Sequence, residues 1–239
     1  MLGDVGGQSG PVAHGVLAVG DSWMTGLGLP LGGVSCWSWP AWLAWAHDDC
    51  LTVRAWNGVD ATEAARDQLP TQRRYRIAAA MVGANDLPVY DPLRFDDAVQ
   101  RLGASLAACT PTPLLATLPL GLRSIGQPWR LSVSRVMDMN VRIRTHASAT
   151  GCLVVELEDA LGGPWAMARD HLHPTALGQL EMAHAAAATL HAAGIGSARL
   201  LPDLTQVVPL PHERQLLTVS ARERLRGRVE SVRAELRRR

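Results

Sequence analysis

The stretch Val16-Leu17-Ala18-Val19-Gly20-Asp21-Ser22 constrains the fold of this chain more than any other. Four apolar residues run without a polar interruption into a small polar turn. A strand with one wet face alternates apolar and polar residues; a strand covered by helices on both faces does not. The pattern therefore predicts a buried strand of a parallel sheet. Ser22 then falls at the carboxyl edge of that sheet, where open α/β folds place their sites. A Gly-Asp-Ser turn is also an ordinary helix cap, so its meaning depends on the rest of the chain.

Further runs of the same kind predict strands over 51–56, 76–82, 113–118 and 152–157. Between them, helical spacing marks 62–69 (closed by Pro70), 96–108 and 130–149, and a last helix runs over 175–193 and stops at Gly194. Pro40 suits the first turn of another helix beginning after Ser38 or Trp39. Strands alternating with helices predict a parallel, doubly wound sheet.

A chain of 239 residues suits one such domain, with residues 1–14 as a Gly-rich lead-in. A net charge of +1 gives the body no reason to bind nucleic acid. Cys36, Cys50, Cys109 and Cys152 are scattered without metal spacing and read as single buried thiols. Residues 1–15 contain Asp4 and no cationic start, so they do not read as a signal peptide. No apolar run is long enough to span a membrane. These features predict a cytoplasmic protein. Asp48 and Asp49 lack a third ligand, so no metal is assigned.

Two segments near Ser22 have a choice of roles. Gly26, Gly28, Gly32 and Gly33 make a loop that is either a pocket wall or slack. In Cys36–Trp45, Trp42 and Trp45 share a helical face that packs on the sheet, whereas Trp37 and Trp39 either join that core or line an apolar or aromatic substrate pocket.

The turns after the strands carry the chemistry. Ser22 follows the first, Asn85 the third, and His173 lies beyond the last. A serine hydroxyl needs a base within hydrogen-bond reach. A neutral imidazole supplies one, and a carboxylate fixes its tautomer. Asp170 stands three residues before His173, close enough to bond its ring. The Asn85 side chain offers an N–H to a developing oxyanion. Asp21 and Asp86 read as turn caps that hold backbone N–H groups.

Gly20-Asp21-Ser22, Gly83-Ala84-Asn85-Asp86, and Asp170-His171-Leu172-His173-Pro174-Thr175 with Gly178 resemble, in order, the blocks of the GDSL/SGNH hydrolase superfamily. The resemblance spans about residues 15–193. It implies a three-layer α/β/α sandwich around a five-stranded flavodoxin-like parallel sheet, and ester hydrolysis without a cofactor. By resemblance Ser22 is the nucleophile and its backbone N–H an oxyanion donor. Asn85 is the side-chain donor, His173 the base and Asp170 its orienting partner. The family's second block brings a glycine N–H to the oxyanion. Gly58 is the only glycine in Asn57–Thr62, but aligning Ala61-Thr62 with the block's usual ending puts Asp60 at that position. The Asp60 backbone is therefore the alternative donor, although its carboxylate would oppose a nearby oxyanion. His171 adds a second imidazole; the Asp-x-x-His spacing and the following Pro174 favour His173.

The expected activity is cleavage of a carboxylic ester, as an esterase or O-deacylase, through an acyl-serine. The alternatives are an acyltransferase using the same acyl-enzyme and a binding protein of the same fold that has lost turnover. The expected partner is a small ester or acylated molecule. The hydrolase domain spans 15–201. Residues 202–239 read as a Pro-containing linker followed by a helical extension from about Ser220. Its stripe of Leu225, Val229, Val232 and Leu236 suits packing on the domain or on a twin subunit, or, with its basic residues, contact with an anionic membrane or an acidic partner.

Overall fold

The computed structural model describes residues 14–69, 74–120, 133–163, 165–170 and 172–217. The lead-in over 1–13, Pro70, residues 121–129, the start of the helix expected from 130, His171 and the helical extension expected from about Ser220 lie outside the described residues.

Five strands form one all-parallel sheet: β1 (Val16–Gly20), β2 (Leu51–Ala55), β3 (Ile77–Met81), β4 (Pro113–Ala116) and β5 (Leu153–Val155). Their order is β2-β1-β3-β4-β5, the flavodoxin-like order. Helix α1 (Ser22–Thr25) is a single turn after β1. It is followed by α2 (Trp39–Ala46), α3 (Ala61–Asp67), α4 (Pro92–Cys109), α5 (Val133–Thr150), α6 (Ala176–Ala192) and α7 (Pro211–Leu217). Helices α2 and α6 pack together, as do α3 with α4 and α4 with α5. Right-handed crossovers in this strand order put the first pair on one face of the sheet and the other three on the opposite face.

Strand β3 contains three alanines, poor strand formers by propensity. Burial on both faces overrides this: all five of its residues are buried. Gly20 pairs with Ala55 on one side and Met81 on the other. The carboxyl ends of β1, β2 and β3 are thus level, and the turns that follow them open at one edge. A Cβ on Gly20 would lie 2.0 Å from the Met81 carbonyl oxygen, and its φ is +139°, so glycine is required there.

Several boundaries differ from the sequence reading for identifiable reasons. Helix α4 starts at Pro92 rather than Asp96, because Asp91 caps it, accepting from the Leu93 and Arg94 N–H groups, and Pro92 suits its first turn. Strand β4 ends at Ala116, short of Leu118. The Leu118 N–H and carbonyl instead pair with the side chain of buried Asn140, at 2.7 and 2.8 Å. All four cysteines are free; Cys109 and Cys152 are buried, but Cys36 is only half-buried and Cys50 is exposed.

The described part of the segment expected to be a linker is docked on the domain. Val207 and Leu217 are buried, and Glu213 Oε2 accepts the Gly32 and Leu210 N–H groups, each at 2.8 Å. Pro211 opens a helix instead of interrupting one. Among the described residues, no helix is long and apolar enough to cross a membrane.

Candidate active site

The end of β1 is held before Ser22 is reached. The buried Gln68 side chain accepts the Gly20 N–H at 2.7 Å and donates to the Gly20 carbonyl at 2.9 Å. Asp21 then caps α1, its Oδ1 accepting the Trp23 N–H at 3.0 Å. Gly26, at φ +80°, closes the turn by donating to the Ser22 carbonyl. Ser22 is the first residue of this helix, so its own N–H has no intrahelical acceptor.

Ser22 Oγ lies 3.1 Å from His173 Nε2, and His173 Nδ1 lies 2.6 Å from Asp170 Oδ2. The other carboxylate oxygen, Oδ1, accepts the backbone N–H groups of Leu172 and His173, both at 2.9 Å. One carboxylate thus folds the loop and orients the ring. Burial raises the Asp170 pKa, but the hydrogen bonds from the His173 ring and the two backbone N–H groups outweigh it, leaving the carboxyl at about 2. With Nδ1–H directed at Asp170, Nε2 presents its lone pair to the Ser22 hydroxyl.

The His173 segment is clamped from both sides. Ala168 N–H donates to the His173 carbonyl at 2.8 Å, Thr175 N–H to the Ala166 carbonyl at 2.9 Å, and Ala176 N–H to the Leu29 carbonyl at 2.8 Å. Thr175 caps α6. A Cβ on Gly178 would stand 2.1 Å from the Ala166 carbonyl oxygen, which explains a glycine at the start of that helix.

Asn85 Nδ2 donates to the Val59 carbonyl at 3.0 Å and lies 3.4 Å from Asp21 Oδ2. This joins the turn after β3 to the turn after β2 and to the residue beside Ser22. Gly58 occupies the latter turn with φ +85°. Asp60 is the N-cap of α3 in a reciprocal capping box. Its carboxylate accepts the Glu63 N–H at 2.8 Å, and its own N–H donates to Glu63 Oε2 at 3.2 Å. That geometry corrects the sequence alternative: the Asp60 N–H is committed, and its carboxylate is directed at α3. Among the described residues no group of three or more His, Cys, Asp or Glu could hold a metal.

The tryptophans also need correction. Trp39 is fully buried, and its backbone N–H donates to Gln179 Oε1 at 2.8 Å, so it is core. Trp37 is 44% exposed but lines a separate surface cavity with Ala41, Trp45 and Arg199. The cavity beside His173, of about 310 Å³, is walled by Leu27, Gly28, Leu29, Ala168 and Arg169. Of the two readings of the Gly-rich loop, the pocket wall holds for Leu27–Leu29. A pocket from this loop had one sequence signal, Leu27 and Leu29 flanking Gly28 just after Ser22.

The sequence model of the GDSL-like lipase/acylhydrolase family matches residues 18–180. No curated protein sequence matches. Among solved structures, TesA aligns with a TM-score of 0.59 at 20% identity, covering 74% of this chain and 97% of its own. Phospholipase A1 from Streptomyces albidoflavus aligns at 0.54 and 18%, covering 74% and 99%. Axe2, an acetylxylan esterase from Geobacillus stearothermophilus, aligns at 0.52 and 18%, covering 74% and 94%. At these identities the likeness is one of fold. The family match covers more than half of the chain, over the strands and turns described above, and the chain belongs to the GDSL-like lipase/acylhydrolase family of hydrolases acting on esters.

Proposed function

We propose that this protein hydrolyses a carboxylic ester through an acyl-Ser22 intermediate. The observation that carries the reading is the unbroken hydrogen-bond chain from Ser22 Oγ through His173 to Asp170. Ser22 Oγ attacks the acyl carbon while His173 Nε2 takes its proton. The Asp170 carboxylate stabilises the imidazolium that forms. The oxyanion receives the Ser22 N–H, the Gly58 N–H and the second Asn85 side-chain N–H, which exchanges its long 3.4 Å contact with Asp21 Oδ2 for the stronger acceptor. Each such donor is worth about 3 kcal/mol of barrier. The alcohol leaves with the proton from His173. Water, deprotonated by the same ring, then releases the acid.

The His173 side chain is 20% exposed and that of Asp170 49%, so the base is open to water. This favours hydrolysis over transfer to another acceptor. Leu27 and Leu29 are 43% and 38% exposed beside the cavity. They offer an apolar wall to an acyl chain of short to medium length.

Hydrolysis of a p-nitrophenyl ester series from acetate to octanoate tests the reading. The wild type is expected to turn over, with a chain-length limit set by the cavity, and Ser22→Ala to lose the activity. Equal turnover by Ser22→Ala sinks it. If the wild type is inert on every ester, a fluorophosphonate decides: labelling at Ser22 supports a live nucleophile, and its absence overturns the proposal.

A further inference from the structure

Asn85 and Asp86 are neighbours in the turn after β3, and both reach into the same distant loop. Asn85 Nδ2 holds the Val59 carbonyl at 3.0 Å, and both Asp86 carboxylate oxygens accept the Ala61 N–H, at 3.0 and 3.2 Å. On the upstream side, Thr25 Oγ1 donates to Asn57 Oδ1 at 2.9 Å. Gly58 lies between these anchors at φ +85°, with no atom within 4 Å of where a Cβ would stand. The loop therefore takes its position from its anchors rather than from side-chain packing at Gly58. Ala61 is the first residue of α3, and its N–H has no acceptor inside the helix. Asp86 supplies one from another element.

The arrangement is costly. Asp21 at the β1–α1 junction and Asp60 at the head of α3 both face Asp86 with like charge. From α5, Arg135 donates to the Leu87 carbonyl at 2.7 Å. Burial raises the Asp86 carboxyl, the Ala61 N–H opposes this, the charges of Asp60 and Asp21 add to it, and the result is about 7.

We propose that Asp86 is a positioning residue for the oxyanion hole: by holding the Ala61 N–H it fixes the loop Asn57–Ala61, and with it the Gly58 N–H, against the Asn85 side chain. The inference rests on the ester-hydrolase reading, which makes Gly58 a donor. Asp86 itself touches no reacting atom. A misplaced donor costs rate more than binding, because the oxyanion exists only in the transition state.

The test measures kcat and KM of the full chain on p-nitrophenyl acetate, or the rate of Ser22 labelling by a fluorophosphonate if no ester is turned over. Asp86→Ala is expected to lower kcat by about 10- to 100-fold with KM within about twofold. Asp86→Asn keeps an acceptor for Ala61 and is expected to stay within about threefold of wild type. Ala61→Pro deletes the N–H at a helix position that tolerates proline, and Asp60, at φ −85° and ψ 174°, already has the extended backbone that proline requires before it. Combined with Asp86→Ala, which makes room for the ring, it is expected to lose no more than Asp86→Ala alone.

The Ala61 amide resonance, followed by NMR, gives a readout apart from catalysis. It is expected to shift with a midpoint near pH 7 in the wild type and not in Asp86→Asn. The inference is overturned if folded Asp86→Ala keeps full kcat, if only KM changes, if Asn fails to rescue, or if the Ala61 amide does not titrate. Any of these with Ser22→Ala still inactive removes the positioning role alone. Full activity of Ser22→Ala removes the ester reading and this inference with it.

Discussion

A Cβ on Gly28 would stand 2.0 Å from the carbonyl oxygen of Pro174 and 2.8 Å from Cys36 Sγ. The loop after α1 and the segment carrying His173 therefore touch backbone to backbone. This contact closes one wall of the cavity beside His173 and continues into the pairing of Leu29 with Thr175.

Gly28→Ala is expected to push the Pro174 segment away and move the His173 ring from Ser22. The requirement is one of space, since the obstacle is backbone and cannot rotate aside. We expect a loss of about 1–3 kcal/mol of stability, seen in chemical denaturation, and a fall in kcat of about 100-fold. Gly196→Ala, where nothing lies within 4 Å, is the matched control and is expected to behave as wild type. A Gly28→Ala enzyme with normal kcat would separate the contact from the site.

Asp170 gives a pH signature. Its folded pKa, about 2, is below the ordinary carboxylate value of 3.8. A depressed carboxylate pKa contributes stability that is present above the unfolded value and lost as pH falls through the folded one. The advantage of the wild type over Asp170→Asn in thermal unfolding is therefore expected to hold above about pH 4 and to shrink between pH 4 and 2. At pH 7 the same substitution is expected to lower kcat by about 10³-fold or more, because the amide no longer holds Nδ1 protonated. A difference in melting temperature independent of pH would contradict this account of the carboxylate.

The two cavities separate two readings of the tryptophan segment. Trp37→Ala removes one wall of the cavity shared with Ala41, Trp45 and Arg199 and a ring contact with Trp42, and is expected to leave kcat/KM within about twofold for every ester. Leu27→Trp fills part of the cavity beside His173 and is expected to shorten the preferred acyl chain. A Trp37→Ala enzyme with a changed chain-length profile would place the acyl group in the cavity beside Trp37.

What the sequence determined by itself was local. The unbroken apolar runs Val16–Val19 and Ile77–Met81 leave no polar face for water, so a doubly covered parallel sheet follows from them. Polar turns at Ser22 and Asn85 follow at the ends of those runs, and Asp170 stands three residues before His173. A loop that short brings carboxylate and ring together with little help from the rest of the fold.

The tertiary structure decided whatever depended on distant partners. Trp37 and Trp39 are two residues apart, yet one lies at the surface and the other in the core; which was which depended on where α6 brings Gln179. Asp60 was legible as a carboxylate beside a candidate oxyanion. The Asp60-Ala61-Thr62-Glu63 spacing carries the signature of a capping box, but the reciprocal bonds that commit Asp60 to α3 form only with the helix in place. The Gly28–Pro174 contact and the Asp86–Ala61 hydrogen bond join segments far apart in the chain. Spacing along a sequence carries no record of them, because chain folding, and not local propensity, sets the distance between two backbones.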